Sequence, residues 1–456
     1  MIVVSHRGPY QFGRGDNGLL TAQQGAGGIV SALSPLLKTR SDTMWIAAAM
    51  SDEDREAGRA GTIAHLDVNV RLVDLDPELH RMHYEVVANS VLWFLHHGMF
   101  DRARRPRFDL RFRDAWAAYV AVNQRFADEV AQSAARDEIV LVQDYQLALV
   151  AGLLRAQRSD LRVVHFTHTP FAAPDDFSVL PTDVGAQLCE SLASGPSGFH
   201  TKRWADNYRQ SARVVLGRRA NVPAPFVASL GPDVDALETI VSSPEARAAG
   251  TALADAVGER LVIMRSDRIE PSKNIVRGFL AFDRLLEARP GLRGRVVFIA
   301  MVYPSRQGLA EYLAYENEVE QVVARVNDRW ATRDWLPIVL DDRDDYARSI
   351  AGMQRYDVLL VNALRDGLNL VAKEGPVVNR RDGLLCLSPE TGAYEELKSA
   401  SIMVHPYDIE QCAGALDDAL STPLDERSAR ASKLRALATE RSPADWLADL
   451  VSHADE

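Results

Sequence analysis

A chain of 456 residues with 47% hydrophobic and 25% charged side chains carries apolar material for more than one core and too little charge bias for disorder, so two domains of ordinary size are expected. Its 63 acidic and 52 basic residues leave a formal charge of -11, which opposes non-specific attraction to nucleic acid or an anionic membrane; an anionic substrate must then meet a local basic site. Cys189, Cys386 and Cys412 are far apart and show neither a disulfide framework nor a zinc-ligand spacing, so no metal is expected and a reducing compartment fits best.

The chain opens Met1-Ile-Val-Val-Ser, without the basic start and long apolar run of a secretory signal, and no apolar run reaches membrane-spanning length. A cytoplasmic protein with no membrane contact is expected. Residues 2–4 begin a series of short apolar runs that continues at 138–142, 162–166, 260–264, 295–300, 338–340, 357–361 and 384–387. Their hydrophobicity is continuous rather than alternating, which reads as strands buried on both faces. Helical patterns such as 113–135 and 276–288 lie between them, so the order is βαβα and the sheets are expected to be parallel and doubly wound.

The stretch 217–233, with Pro223, Pro225, Gly231 and Pro232, marks the expected boundary. The expected division is a domain over 1–232, a second over 233–440, and a C-terminal helix in 441–456 that packs back on the first. Ligands of open parallel sheets settle beyond the carboxyl ends of the strands, so the expected active site is a cleft between two such domains, lined by the residues that follow each strand.

Along the chain these strand ends are rich in polar groups. Val3-Val-Ser-His-Arg7 closes the first run, and Gly25-Ala-Gly-Gly28 precedes a helix, equally a phosphate cradle or a surface turn. Gln143-Asp144 and His165-Phe-Thr-His168 follow the next two runs and offer sugar hydrogen bonds, although a lone His at a strand end is commonly structural. After 260–264 come Arg268 and Lys273, a bidentate and a point cation suited to a diphosphate near a helix N-terminus, or simply a solvated loop. After 357–361 come Asp366, Gly367, Leu368, Asn369 and Leu370, with Glu374 further along the helix. Gly367 permits close backbone approach, and the two carboxylates suit sugar and ribose hydroxyls if they are not merely a helix cap and a solvated side chain. No carboxylate pair with a glycosidase-like spacing is evident.

Taken together, Ser90-Val-Leu-Trp93, Val142-Gln-Asp-Tyr-Gln146, His168-Thr-Pro-Phe171, Asp267-Arg-Ile-Glu-Pro-Ser-Lys273 and Leu364-Arg-Asp-Gly-Leu-Asn-Leu-Val-Ala-Lys-Glu374 resemble the trehalose-6-phosphate synthase family, nearly end to end. The resemblance implies a retaining glycosyltransferase of the GT-B arrangement, an α/β fold with two Rossmann-like domains facing a cleft, that joins glucose from a nucleotide sugar to glucose 6-phosphate without a cofactor or metal. It implies that Gly28, Arg268 and Lys273 bind the donor diphosphate, that Asn369, Leu370 and Glu374 hold its phosphate-ribose part, and that His168 and Asp366 hold the transferred sugar. Arg7, Tyr84 and Arg306 match the clamp for the acceptor phosphate, with Trp93 and Asp144 beside the acceptor sugar.

The sequence departs from that pattern at His6, where the family commonly has Asn, at Gln143, where it has His, and at Thr169, where it has Ile. Asp344 replaces an aromatic residue near the donor base. A carboxylate there accepts hydrogen bonds from the guanine N1 and N2 donors, a pair that uracil cannot match, so a GDP-linked donor is expected ahead of a UDP-linked one, unless the acidic loop is merely solvated. The related pseudo-glycosyltransferase of validamycin biosynthesis uses a guanine nucleotide, and a GDP-sugar or GDP-cyclitol transferase with another acceptor is the first alternative. A catalytically inactive sugar-phosphate sensor is the second. The expected partners are a sugar nucleotide and a sugar phosphate, with homo-oligomer formation left open.

Overall fold

A computed structural model describes residues 1–15, 17–25, 28–38, 42–59, 61–64 and 66–455. They fall into two compact units, one formed by Met1–Leu230 together with Pro443–Glu456, the other by Gly231–Ser442. Among the described residues no helix is long and apolar enough to cross a membrane.

In the first unit the strands are β1 (Ile2–Val4), β2 (Tyr10–Arg14), β3 (Leu20–Gln24), β4 (Met44–Ala48), β5 (Asn69–Val73), β6 (Ile139–Gln143), β7 (Arg162–Thr167), β8 (Ser197–Phe199) and β9 (Phe226–Val227). β2 and β3 form a separate antiparallel hairpin, and the other seven make one parallel sheet in the order β5-β4-β1-β6-β7-β8-β9. The run Ile-Val-Val of β1 is buried on both faces, as its unbroken hydrophobicity requires at the centre of a doubly wound sheet. Helix Leu110–Ser133 sends Val122, Phe126 and Val130 against β1 and β6 in one core.

The second unit holds β10 (Leu261–Arg268), β11 (Val296–Tyr303), β12 (Ile338–Asp341), β13 (Val358–Val361), β14 (Leu384–Leu387) and β15 (Ile402–Met403), all parallel, in the order β12-β11-β10-β13-β14-β15. Counted from its own first strand this is the 3-2-1-4-5-6 order of dinucleotide-binding folds, in which the winding reverses between strands 1 and 4. Helix Ile275–Ala288 follows β10 and buries Phe279, Phe282 and Leu286 against Phe298 and Ile263. Its apolar residues recur three and four apart, which puts them on one stripe.

Helix Pro443–His453 belongs to the first unit although the whole second unit precedes it in sequence. Trp446 is fully buried and meets Phe166 of β7 edge-on at 5.3 Å, and His453 stacks on Phe226 at 4.0 Å.

β10 runs on to Arg268, well past the expected end at 264, so Arg268 is the last strand residue rather than a loop residue. The outer strands β4, β5, β8, β9 and β15 were not anticipated; β8, β9 and β15 have only two or three residues, and β5 is mixed in polarity.

The base of the second sheet is tied by Asp357, which is 1% exposed. One carboxylate oxygen accepts the Val262 N–H of β10 at 2.8 Å, and the other accepts from Arg427 Nη2 at 2.7 Å. Removing one member of a buried ion pair leaves the other charge uncompensated, at a cost of about 3–5 kcal/mol. Asp357→Ala is therefore expected to lower the unfolding free energy by about that amount in denaturant titrations.

Candidate functional site

The strand-order reversal of the second unit lies between β10 and β13, and both predicted donor-binding segments follow those two strands. Lys273 Nζ donates to Asp366 Oδ2 at 2.6 Å across 93 residues of chain, with both side chains mostly buried. Burial alone depresses the Lys273 ammonium, but Asp366, Asp267 and Glu270 outweigh it and leave its pKa raised. A firmly charged lysine results, at a place where a phosphate can exchange for a carboxylate.

The turn that carries Asp366 is held from two sides. Asp366 N donates to Glu390 O at 3.0 Å, Gly392 N donates to Asp366 O at 3.1 Å, and Ala393 N donates to Leu368 O at 2.8 Å. Asn369 adopts φ +75°, uses its Nδ2 to donate to Asp366 Oδ2 at 3.0 Å, and accepts the Ala372 N–H at 3.1 Å, so it caps helix Val371–Val378. Asp366 is thus an acceptor for Lys273 and Asn369 and not the helix cap.

Glu374 lies on that helix and accepts from Tyr346 O–H at 3.1 Å. Burial raises its pKa to about 7, against the lowering effect of the tyrosine bond. Asp344, two residues before Tyr346, is exposed.

Glu270, 2% exposed, draws two cations together. Its Oε1 lies 3.3 Å from Arg268 Nη1 and 3.3 Å from Arg306 Nη1, and Ser305 Oγ is at 3.4 Å. Arg306 has φ +46° and also donates to the Tyr312 hydroxyl. Beneath this surface Arg265 is 1% exposed and donates to Asp267 Oδ2 at 2.8 Å, Lys273 O at 2.8 Å and Asn362 Oδ1 at 3.2 Å. Asn274 and Asn362 exchange side-chain-to-carbonyl bonds at 2.9 and 3.1 Å. Glu270, Arg265, Asn274 and Asn362 escaped the sequence reading. The available signal was Arg265 itself, a charge directly after the apolar run Leu261–Met264 and inside the same strand.

In the first unit the reversal lies between β1 and β6. Arg7 follows β1 and donates from Nη2 to the Tyr84 hydroxyl at 3.3 Å. Tyr84 sits on a wide helix, Met82–Leu92, wound with π-type hydrogen bonding, a form concentrated at functional sites. Trp93, at the start of the next helical segment, is 2% exposed and stacks on His97 at 4.1 Å.

Asp144 follows β6 with φ 69° and ψ 171°, a region of backbone space essentially reserved for glycine, at a cost of about 1–3 kcal/mol. Its carboxylate accepts the His168 N–H at 3.1 Å. His168, after β7, has Nε2 at 2.9 Å from Gln143 Oε1 and Nδ1 at 3.1 Å from His200 Nε2. With Gln143 presenting its carbonyl oxygen, His168 Nε2–H donates to it and His168 Nδ1 accepts from His200. Burial holds the pKa of His168 well below the usual value, so the ring is neutral. A sugar hydroxyl reaches the His168 ring only in exchange for one of these bonds.

Gly28 is exposed and begins helix Gly28–Lys38. The glycine loop expected before it includes Ala26 and Gly27, which lie outside the described residues.

Two Rossmann-like parallel sheets, the second with cations and a capped turn at its reversal, define the class of GT-B glycosyltransferases. The chain belongs to glycosyltransferase family 20, whose model matches residues 1–456. A trehalose-6-phosphate synthase of Mycobacterium avium is 32% identical over 95% of this chain and 91% of that protein. Among solved structures, one from E. coli bound with UDP-2-fluoro glucose superposes with a TM-score of 0.86 at 25% identity, covering 100% of this chain and 98% of that one. An alpha,alpha-trehalose-phosphate synthase (UDP-forming) from Burkholderia xenovorans in complex with glucose-6-phosphate gives 0.85 at 25% identity, covering 100% and 99%. Two longer relatives are matched by almost the whole chain, which spans 61% of one and 63% of the other.

A Cβ placed on Gly392 would lie 2.1 Å from Gly367 O and 2.9 Å from Leu368 Cα. Both neighbours are backbone, so the turn must shift as a whole. Gly392→Ala is expected to lower the melting temperature and to weaken nucleotide-sugar binding at least tenfold, measured by calorimetric titration.

Proposed function

We propose that the chain transfers glucose, with retention of configuration, from a nucleoside-diphosphate glucose to glucose 6-phosphate, giving trehalose 6-phosphate. The observation that carries this reading is the meeting of Lys273, Asp366 and Asn369 at the reversal of a 3-2-1-4-5-6 sheet, with Arg268 at the end of the first strand. The names of the relatives support the acceptor and the product.

In this reaction the bond from the anomeric carbon to the diphosphate oxygen breaks. A new bond forms to the acceptor hydroxyl oxygen on the same face, and the hydroxyl proton passes to the departing diphosphate. The protein's share is positioning and charge stabilisation. Lys273 and Arg268 neutralise the charge that grows on the leaving diphosphate. When phosphate takes the lysine, Asp366 is released toward the sugar hydroxyls. Glu374 accepts from the ribose diol, and Arg7 with Tyr84 binds the acceptor phosphate.

Uracil is proposed as the donor base, in place of the guanine that Asp344 suggested. Relatives across the family are named as UDP-forming, and Asp344 is exposed, where a carboxylate is well served by water.

Incubation with UDP-glucose and glucose 6-phosphate is expected to release UDP and yield trehalose 6-phosphate by mass spectrometry. Absence of product with both UDP-glucose and GDP-glucose would overturn the reading, and a higher kcat/KM with GDP-glucose would return the base to guanine. Lys273→Ala is expected to lower kcat by about 10²–10³, the usual loss on removing a group that stabilises transition-state charge.

Glu374 must be ionised to accept both ribose hydroxyls. Its pKa is raised to about 7, so donor affinity is expected to rise as pH increases through 7 and to fall below it. Glu374→Gln should bind more weakly above pH 7 and lose this pH dependence, as read by titration with UDP from pH 6 to 8.

A further inference from the structure

Outside the residues assigned to transfer, the first unit contains a group of three histidines. His6 follows β1, His80 lies on the short helix Pro77–Arg81, and His83 lies three residues further on in Met82–Leu92. The spacing of three puts His80 and His83 on one helical face. One ring nitrogen from each of the three residues lies within 4.8 Å of the other two. His6 Nε2 and His80 Nε2 are 2.9 Å apart with rings nearly coplanar, at an interplanar angle of 22°.

The hydrogen bonding of the cluster is incomplete. His83 Nε2 lies 2.9 Å from Gln146 O, and a carbonyl oxygen only accepts, so the proton sits on Nε2 and the lone pair on Nδ1. That Nδ1 is buried without a hydrogen-bond partner. Buried polar nitrogens ordinarily find a partner, and a lone pair left open beside two other imidazoles calls for an explanation. An imidazole that donates its second N–H to a backbone carbonyl is also the usual state of a metal-bound histidine.

We infer that His6, His80 and His83 bind a divalent first-row transition ion such as zinc, each through one imidazole nitrogen. Zinc takes imidazole nitrogens at about 2.0–2.1 Å, so two of them on one tetrahedral ion stand roughly 3.3 Å apart. The His6 and His80 nitrogens must separate by a few tenths of an ångström and the third must close in. His80, half-buried on a five-residue helix, is the ligand able to move. Three neutral nitrogens leave a fourth position to water or an anion. The nearby cations Arg7 and Arg55 oppose a bare divalent ion and favour an anionic fourth ligand, so affinity falls below that of a closed four-ligand site. The cluster adjoins the Arg7–Tyr84 pair, since Tyr84 stacks on His6 at 4.4 Å. The inference does not depend on the transfer reaction.

The test uses the full chain, stripped with chelator and titrated with zinc by calorimetry and with cobalt by visible absorption. One equivalent is expected, with the ligand-field bands of nitrogen-bound cobalt and a zinc-dependent rise in melting temperature, because an ion that binds only the folded state stabilises it. His80→Ala is expected to weaken binding at least tenfold and to abolish the bands while keeping the wild-type circular dichroism, and His6→Asn should do the same. Absence of saturable binding in the wild type, or an unchanged affinity in folded His80→Ala, would overturn the proposal. Should His6→Asn fail to fold, the half-buried His80 decides the matter alone.

Discussion

Two strands that touch in space but stand nearly a hundred residues apart in sequence make the second unit what it is. β10 and β13 are neighbours because the sheet reverses its winding there, and no helix crosses above the gap between their carboxyl ends. Everything assigned to the donor follows from that vacancy. Lys273 arrives from one strand and Asp366 from the other, and their ion pair can form only if the reversal places both loops at the same end. The polar lattice below, with Arg265 bonded to Asp267, Asn362 and the Lys273 carbonyl, fastens the two loops to each other. A charged side chain this deep is tolerable because each of its bonds is made to an oxygen that would otherwise be orphaned.

Strain is distributed in the same places. Among the described residues six non-glycine positions have positive φ, and Asp144, Arg306 and Asn369 are three of them, with Asn274 directly after Lys273. Each is over-determined by its surroundings. Asp144 is pinned through its own N–H to Phe166 O and through its carboxylate to His168 N, and Asn369 through its side chain to both Asp366 and the helix start. Backbone kept in unfavourable regions by several hydrogen bonds at once is a mark of preorganisation. The groups are set before a ligand arrives and need not be gathered by it.

The central strands were legible from sequence because burial on both faces leaves an unbroken apolar run, as in Val358–Val361 and Val296–Tyr303. Outer strands of two or three residues carry no such run, and Phe226–Val227 or Ser197–Phe199 take their extended form from the strands beside them. Site residues were legible where a charged or imidazole side chain ends or closely follows a central strand, which is why Arg7, Asp144, His168 and Arg268 stood out. Glu270 and Asn362 did not, since their importance lies in contacts 36 residues or more away in sequence, Glu270 to Arg306 and Asn362 to Arg265. The histidine cluster was illegible for the same reason, with His6 lying 74 residues before His80.

Helix Pro443–His453 has a bearing on how the molecule is made. A ribosome delivers the chain in order, and domains generally condense as they emerge. The second unit is continuous and has all its parts once Ser442 is out. The first unit, although synthesised earlier, waits with the Phe166 edge of β7 and the Phe226 ring uncovered until Trp446 and His453 follow. Birth order and completion order are thus inverted, and the interval in which an aromatic surface stands open is set by the time taken to translate an entire intervening domain.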